Sequence, residues 1–290
     1  MNANLMFNTR QLLRALCVVL ITCTAVWAMP KRANAQVYIS LIADGAVSEY
    51  DEVTGRLINA NFITGLSGPN ELVLSGDILF VANQGGSVGK YDAKTGAAIG
   101  QSFITGTNFQ PVGLALSGDS LFVANESDGT VGKYNAKSGK AINATFIAGL
   151  PVDQIVGLAT LGNSLLVANA TGNGLGEYKA NTGKLIDALA TEAPYGVAFF
   201  GDRLFVTNIT QGTIAEFDSN TGKLINANFI TGLGYPYQLA VLGDKLFVTD
   251  GGAPAVGVYD ARTGAAINAT FISGFGFYNL VGIAVKAQSK

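Results

Sequence analysis

One pattern of residues recurs along this chain from residue 37 almost to the C-terminus. Thr-Gly or Ser-Gly pairs fall at intervals of 39 to 44 residues and end at Gly55, Gly96, Gly139, Gly183, Gly222 and Gly264. A period of this size is typical of arrays whose units cannot bury an apolar face alone and therefore stack on one another. The repeat therefore constrains the architecture more than any other feature of the sequence.

Each unit carries the signals of four short strands. The third unit reads Gly113-Leu-Ala-Leu, Leu121-Phe-Val-Ala, Thr130-Val-Gly-Lys-Tyr and Ile142-Asn-Ala-Thr-Phe-Ile, with Gly-Asp, Asp-Gly and Ser-Gly turns between them. β-branched and aromatic residues favour strands, and Gly and Asp favour tight turns. Helical periodicity is absent beyond residue 35. We predict four antiparallel strands in each unit, with the Gly-Leu-Ala strand innermost.

The repeat is split between the two ends of the chain. The first unit begins with Val37-Tyr-Ile-Ser-Leu, which is equivalent to a second strand, and its missing inner strand is supplied by Val281-Gly-Ile-Ala-Val. A radial array that closes on itself limits its exposed sheet edges. We predict a single all-β domain over residues 36–290, a six-bladed β-propeller of four-stranded antiparallel blades whose C-terminal strand completes the N-terminal blade. An open solenoid would instead require capping units at both ends.

Residues 1–35 differ from the repeats. Two arginines precede an uncharged, mostly apolar run over residues 15–29, and Ala33-Asn-Ala suits a signal peptidase. The pattern predicts a bacterial-type signal peptide over residues 1–35 and a secreted or periplasmic mature protein without membrane insertion. A cut after Ala28, a lipoprotein at Cys23 and a retained membrane anchor are the alternatives.

The predicted mature domain is acidic and contains neither cysteine nor histidine. Four of the 18 basic residues, both cysteines and the one tryptophan lie within residues 1–35, whereas all 20 acidic residues lie beyond them, which leaves a net charge of −6. This balance offers no electrostatic footprint for nucleic acid. The missing residue types exclude Ser–His and Cys–His catalysis and histidine-ligated zinc.

A comparison of the units with one another indicates a candidate site. Four inner strands begin with glycine, whereas a carboxylate and an amide replace it in two others. Polar or aromatic residues precede some of these positions, which should ring the mouth of a propeller's central channel. We predict a ligand-binding funnel there, unless the aromatic rings only pack between blades. Its candidate residues are Asn70, Glu71, Tyr195, Tyr237, Gln238 and Tyr278.

A polar residue also ends the second strand in five units, at Asn83, Asn125, Asn169, Asn208 and Asp250. These side chains could surround a ligand or ion as a polar ring. Asn and Asp commonly bond to the turn that follows them, and we predict that role here. Leu41 stands at the same place in the first unit and breaks any complete ring.

The motifs Pro-x-Gly-Leu-Ala, Gly-Asp-x-Leu-Phe-Val-Ala-Asn and Gly-Thr-Val-x-x-Tyr resemble those of NHL-repeat propellers in the gluconolactonase and streptogramin-lyase superfamily. The resemblance spans essentially all of residues 36–290. It implies a propeller fold in a group that contains binding modules, hydrolases and lyases. The resemblance implies that lyase activity would depend on histidines, and this domain lacks them. A gluconolactonase-type reaction would use calcium held by Glu, Asn and Asp oxygens, and only Asn70, Glu71 and Gln238 stand at candidate positions.

We therefore expect a ligand-binding or protein-interaction module that is not an enzyme and needs no cofactor. Aromatic faces beside amides suit a glycan, a peptide or a small metabolite at the central funnel. One alternative is a calcium-dependent lactonase or esterase. A second is a structural cell-envelope protein that presents its nearly identical outer strands to partners. We expect a monomer without a nucleic-acid partner.

Overall fold

A computed structural model describes residues 35–170, 174–189 and 191–287 of the 290-residue chain. The predicted signal peptide lies outside the described residues, apart from Ala35. Every regular element of the described residues is a β-strand. Within these ranges no helix is both long and apolar enough to cross a membrane.

The strands form six antiparallel sheets of four strands each, which are numbered here as blades 1 to 6. Blade 1 contains β24 (Leu280–Lys286), β1 (Gln36–Leu41), β2 (Ala46–Asp51) and β3 (Leu57–Ile63), in order from the inside. Blade 2 contains β4 (Pro69–Ser75), β5 (Ile78–Asn83), β6 (Ser87–Asp92) and β7 (Ala98–Thr105). Blade 3 contains β8 (Pro111–Ser117), β9 (Ser120–Asn125), β10 (Thr130–Asn135) and β11 (Ala141–Ile147).

The remaining blades repeat the same order. Blade 4 contains β12 (Ile155–Leu161), β13 (Ser164–Asn169), β14 (Gly174–Lys179) and β15 (Leu185–Leu189). Blade 5 contains β16 (Pro194–Phe200), β17 (Arg203–Asn208), β18 (Thr213–Asp218) and β19 (Leu224–Ile230). Blade 6 contains β20 (Pro236–Leu242), β21 (Lys245–Asp250), β22 (Ala255–Asp260) and β23 (Ala266–Ser273).

The blades close into a ring. Each inner strand contacts the inner strand of the next blade, in the circular order β4, β8, β12, β16, β20, β24 and back to β4. The C-terminal strand β24 pairs with β1, and Val285 faces Val37 while Ile283 faces Ile39. The prediction of a six-bladed propeller closed by the C-terminal strand is confirmed.

The hydrophobic core is divided among the six junctions between neighbouring blades, and each junction holds one apolar cluster. The closing junction between blades 6 and 1 buries Val37, Ile39, Phe247 and Ile283. Each blade thus covers one apolar face of its neighbour, as expected for units that cannot bury that face alone.

The recurring Thr-Gly turns connect the third and fourth strands of a blade and pack against the preceding blade. In blade 2 the Asp92 carboxylate accepts hydrogen bonds from the backbone N–H and the hydroxyl of Thr95. Gly96 follows with a φ of 72°, and a Cβ there would stand less than 3.0 Å from the Phe62 carbonyl oxygen of blade 1. Glycine is therefore required by the left-handed backbone and by the close approach of the next blade.

The outermost strands carry a second recurring device. Each of the six pairs with the third strand of its blade through at least one register shift. In β11 the Asn143 carboxamide oxygen accepts a hydrogen bond from the Thr145 N–H. Asn59, Asn226 and Asn268 do the same in three other blades. Four of these irregular outer edges thus carry the Ile-Asn-Ala sequence with an Asn side chain bonded to the backbone two residues on, whereas the edges of blades 2 and 4 shift register without it.

The ring has two faces, which are named here by their connections. The hairpin face carries the turns between the first and second and between the third and fourth strands of each blade. The entrance face carries the opposite connections, which join second to third strands and one blade to the next. Of the described residues it contains 42–45, 64–68, 84–86, 106–110, 126–129, 148–154, 170, 191–193, 209–212, 231–235, 251–254 and 274–279.

Candidate functional site

The inner wall of the ring is tightly packed at the positions that mark the candidate site. A Cβ on Gly113 would stand less than 3.0 Å from the Val156 carbonyl oxygen of the next blade, and Gly157 meets Tyr195 in the same way. Four of the six inner strands therefore need glycine at this position because their neighbours approach so closely. The side chains of Glu71 and Gln238 are the two that project where the other blades have none.

Glu71 joins three blades. Its Oε2 accepts a 2.7 Å hydrogen bond from the Leu114 N–H of blade 3, and the carboxylate also accepts the Leu158 N–H of blade 4. The side chain is 8% exposed. Burial raises the pKa of the Glu71 carboxyl well above its ordinary value, although the two amide hydrogen bonds lower it. Glu71 is thus placed to hold inner strands together rather than to face solvent.

Hydroxyl groups connect the other side of the ring. Ser40 in blade 1 accepts the Gly282 N–H and donates to the Asn70 carbonyl oxygen of blade 2. Thr207 of blade 5 and Thr249 of blade 6 likewise accept an inner-strand N–H and donate to the next blade. Blades 2, 3 and 4 carry Ala82, Ala124 and Ala168 at this position. On this side of the ring the Glu71 carboxylate, rather than a hydroxyl, bonds to the inner strands of the following blades.

Replacement of Glu71 by Gln is expected to change how stability depends on pH. A raised pKa means that the folded chain holds the proton more tightly than the unfolded chain. The contribution of Glu71 to the unfolding free energy is therefore fully present below the ordinary value of 4.5 and is lost as pH rises from there through the folded pKa. The variant stays neutral, so its Tm relative to the original protein should rise with pH in thermal melts.

The exposed Glu192→Gln serves as the matched control, and its Tm difference should not vary with pH in this way. Parallel pH profiles for the Glu71→Gln variant and the original protein would contradict the assignment of Glu71 as a buried carboxyl whose burial disfavours ionisation.

The structure brings three of the predicted residues together at the channel mouth. The ring centroids of Tyr195 and Tyr237 lie 5.1 Å apart, and the Tyr195 hydroxyl hydrogen-bonds with the Asn70 side chain. Burial of that hydroxyl, with the nearby Tyr237, raises the pKa of Tyr195. Asn70 is itself buried. The three side chains therefore form an uncharged rim, in which Tyr195 bonds to Asn70 and packs against Tyr237.

Gln238 lies beneath this rim. It is 2% exposed, and its amide nitrogen has no hydrogen-bond partner. Its amide oxygen would stand 3.1 Å from a Cβ on Gly196, which places the side chain against the inner strand of blade 5. A buried donor without an acceptor is unfavourable, so this amide nitrogen is a group that a further hydrogen bond would stabilise.

Tyr278 stands above the wall rather than within it. The side chain is 57% exposed and its ring centroid lies 5.8 Å from that of Tyr235. Phe277 is 69% exposed. The three exposed rings lie in the connections on either side of blade 6. Tyr235, Tyr237, Phe277 and Tyr278 are called the aromatic patch below.

The residues that end the second strands bond to nearby loops. The Asn125 oxygen accepts the Gln110 N–H, and the Asp250 carboxylate accepts four backbone N–H groups, including those of Gly234 and Tyr235. Asp250 thereby fixes the connection that carries one ring of the aromatic patch. Asn83 differs, because its carboxamide oxygen has no partner.

The candidate positions do not assemble a calcium ligand set. Calcium takes six to eight oxygen ligands. The Glu71 carboxylate is engaged by two backbone amides, and Val112 and Val156 stand where further ligands would be needed. No group of three or more acidic, cysteine or histidine side chains suited to a metal occurs in the described part of the chain.

The hydroxyl bridges and the acidic entrance-face residue Glu126 are not among the residues predicted from the sequence. Ser40, Thr207 and Thr249 could have been found as departures from alanine at one position of the repeat. Glu126 could have been found by sorting charged residues according to their position in the repeat.

A family profile described as outer membrane protein assembly factor BamB matches residues 43–194, which is more than half of the chain. The chain belongs to this family. The BamB match runs from the link before β2 to the first residue of β16 and so includes all of blades 2 to 4. The resemblance to NHL-repeat and gluconolactonase propellers stays a prediction. No curated protein matches the chain.

Solved structures of similar shape support the fold alone. A chain in the crystal structure of a nidogen/laminin complex has a TM-score of 0.73 and 13% identity, over 88% of this chain and 100% of that chain. A protein of unknown function from Bacteroides caccae gives 0.67 and 14%, over 87% and 99%. The computationally designed Ika8 protein gives 0.56 and 15%, over 88% and 94%.

Proposed function

We propose that this member of the BamB family is a secreted or periplasmic protein-interaction module that binds its partner on the entrance face. The observation that carries the proposal is the aromatic patch, where Phe277 and Tyr278 are more than half exposed and Tyr235 is 43% exposed, next to the half-buried Tyr237. Contiguous exposed aromatic surface is unfavourable in water and typical of interaction sites. The family description, an assembly factor, is consistent with such a role.

The packing of the ring favours a surface partner over a small molecule held deep in the channel. Four inner strands approach their neighbours so closely that glycine is required there, and the Glu71 carboxylate is enclosed and engaged by two backbone amides. The accessible groups are the aromatic rings above. Flat aromatic surfaces contribute much of the affinity of protein interfaces because they bury large areas with few rotatable bonds.

A calcium-dependent lactonase of gluconolactonase type has less support. That chemistry needs a carboxylate free to bind metal, whereas the Glu71 carboxylate accepts two buried backbone N–H groups. Removing Glu71 from these amides would leave both unpaired, which is costly in a buried position.

Site-specific photocrosslinking in the native host tests the proposed interaction. A photoreactive amino acid at Phe277 should give a discrete adduct with one host protein, which mass spectrometry identifies. The same probe at Val53, an exposed apolar residue on the hairpin face, is the control and should give none. Adducts of equal yield and identity from both positions, or none from the entrance face, would contradict the proposal.

A further inference from the structure

Charge is segregated between the two faces of the ring. Every lysine and arginine of the described residues lies on the hairpin face or, as with Lys90 and Lys133, reaches it from mid-strand to bond backbone carbonyls there. The six ion pairs found in the described chain lie at that end of the blades. The charged side chains in the described loops of the entrance face are all acidic, namely Asp44, Glu126, Asp128, Asp153 and Glu192, and Asp250 at the end of β21 borders them.

Two of these acids lie close together beside the channel mouth. The Asp153 N–H donates to the Glu126 carbonyl oxygen, and the carboxylate of Glu126 accepts a hydrogen bond from Gln84. Burial and the nearby Asp153 raise the pKa of Glu126, and the charge of Glu126 also acts on the Tyr195 hydroxyl. No cation of the described chain lies near them, so their repulsion is uncompensated within the molecule.

The aromatic patch adds a second means of attracting a cation. Tyr and Phe faces bind ammonium and guanidinium groups, and the attraction grows as water is excluded. On the hairpin-facing side of blades 2 and 3 the chain already uses this contact: Lys90 lies 4.5 Å from the Phe103 ring centroid, and Lys133 lies 5.1 Å from that of Phe146. The aromatic patch has no such partner from the described residues.

Two buried polar groups at the entrance end of the inner and second strands have no hydrogen-bond partner within the described chain. Asn83 is 3% exposed and its carboxamide oxygen lacks a donor, at the entrance end of β5 next to Gln84. The amide nitrogen of Gln238 lacks an acceptor beneath Tyr237. A peptide supplies N–H groups for the first and carbonyl oxygens for the second.

From these observations we infer that the entrance face binds a basic peptide segment, whose lysine or arginine side chains meet Glu126, Asp153 and the aromatic patch. This inference rests on the proposed function and specifies its partner class. Exposed carboxylates alone would attract cations only weakly at physiological salt. The exposed rings and the unpartnered amides provide the further contacts that a peptide needs.

Fluorescence anisotropy with a labelled peptide of alternating arginine and serine tests the inference on the purified protein. We expect saturable binding that weakens with added salt, and much weaker binding of the same peptide with citrulline in place of arginine. The double variant Glu126→Gln/Asp153→Asn should bind the arginine peptide about tenfold more weakly. Equal binding of the arginine and citrulline peptides would overturn the inference.

The matched control is Asp187→Asn/Asp202→Asn, which removes two exposed carboxylates away from the entrance face. It should leave the affinity unchanged, and an equal loss in both double variants would show that only net charge matters. Spermine separates a polyamine from a peptide, because it carries ammonium groups without carbonyls. The inference expects Gln238→Met to weaken the peptide and not spermine, and it fails if spermine displaces the peptide at equal affinity.

The two experiments together distinguish a failure of this inference from a failure of the proposed function. If photocrosslinking at Phe277 yields a protein partner while the arginine peptide does not bind, the inference is wrong and the proposed function stands. If neither experiment shows binding at the entrance face, both are wrong.

Discussion

Deletion of residues 280–290 is expected to leave a chain that shows no cooperative thermal transition near the Tm of the intact protein. Leu280, Val281 and Ile283 of β24 are buried, and each such side chain contributes about 1.5–3 kcal/mol. Their combined loss, about 5–9 kcal/mol, is comparable with the whole stability of a typical domain. Circular dichroism and calorimetry would measure the loss.

A circular permutant provides the matched rescue. Lys286 pairs with Gln36 at the end of the β24–β1 ladder, so a Gly-Asp turn like that at 118–119 can join the two strands directly. A chain that places β24 and this turn before β1 should unfold cooperatively near the original Tm. A stable chain lacking β24 would contradict closure of the ring.

Substitution of Gly96 by Ala is expected to lower stability by about 3 kcal/mol. The left-handed backbone contributes about 1 kcal/mol of this loss, and the collision of the new Cβ with the Phe62 carbonyl oxygen contributes the remainder. For a domain of this size the Tm should fall by about 6–12 °C. Thermal melts at neutral pH would measure it.

Gly65→Ala separates the two contributions. Gly65 has a φ of 75°, close to the 72° of Gly96, but nothing lies within 4 Å of the position that its Cβ would take. Its Tm should fall by only about 2–4 °C. Equal losses at both glycines would mean that the contact between blades contributes nothing and that backbone conformation alone explains the repeat.

The fold could be predicted from the sequence because its signals are local and occur six times. Thr-Gly turns, short β-branched strands and the split repeat each follow from the conformational limits of single residues. The split between Val37 and Val281 also fixes which strand closes the ring. The same conformational limits apply in every blade, so the strands of a unit with weaker signals can be assigned from the other units.

The candidate site was predicted less completely because its contacts cross between blades. The sequence marks Glu71 as a departure from glycine, but it does not show that the carboxylate reaches Leu114 and Leu158 in two other blades. It likewise does not show which polar groups are left without partners, as Asn83 and Gln238 are. Such facts depend on side-chain direction in the assembled ring.

The bulges at Asn59, Asn143 and their equivalents have a consequence for how copies of this protein meet. A strand from another molecule can extend a sheet only where successive backbone groups point outward in register, and each outermost strand changes its pairing along its length. Six edges that would otherwise seed fibrils or lateral polymers are thereby blunted. Molecules that lie side by side at high concentration therefore do not pair their outermost strands into an extended sheet.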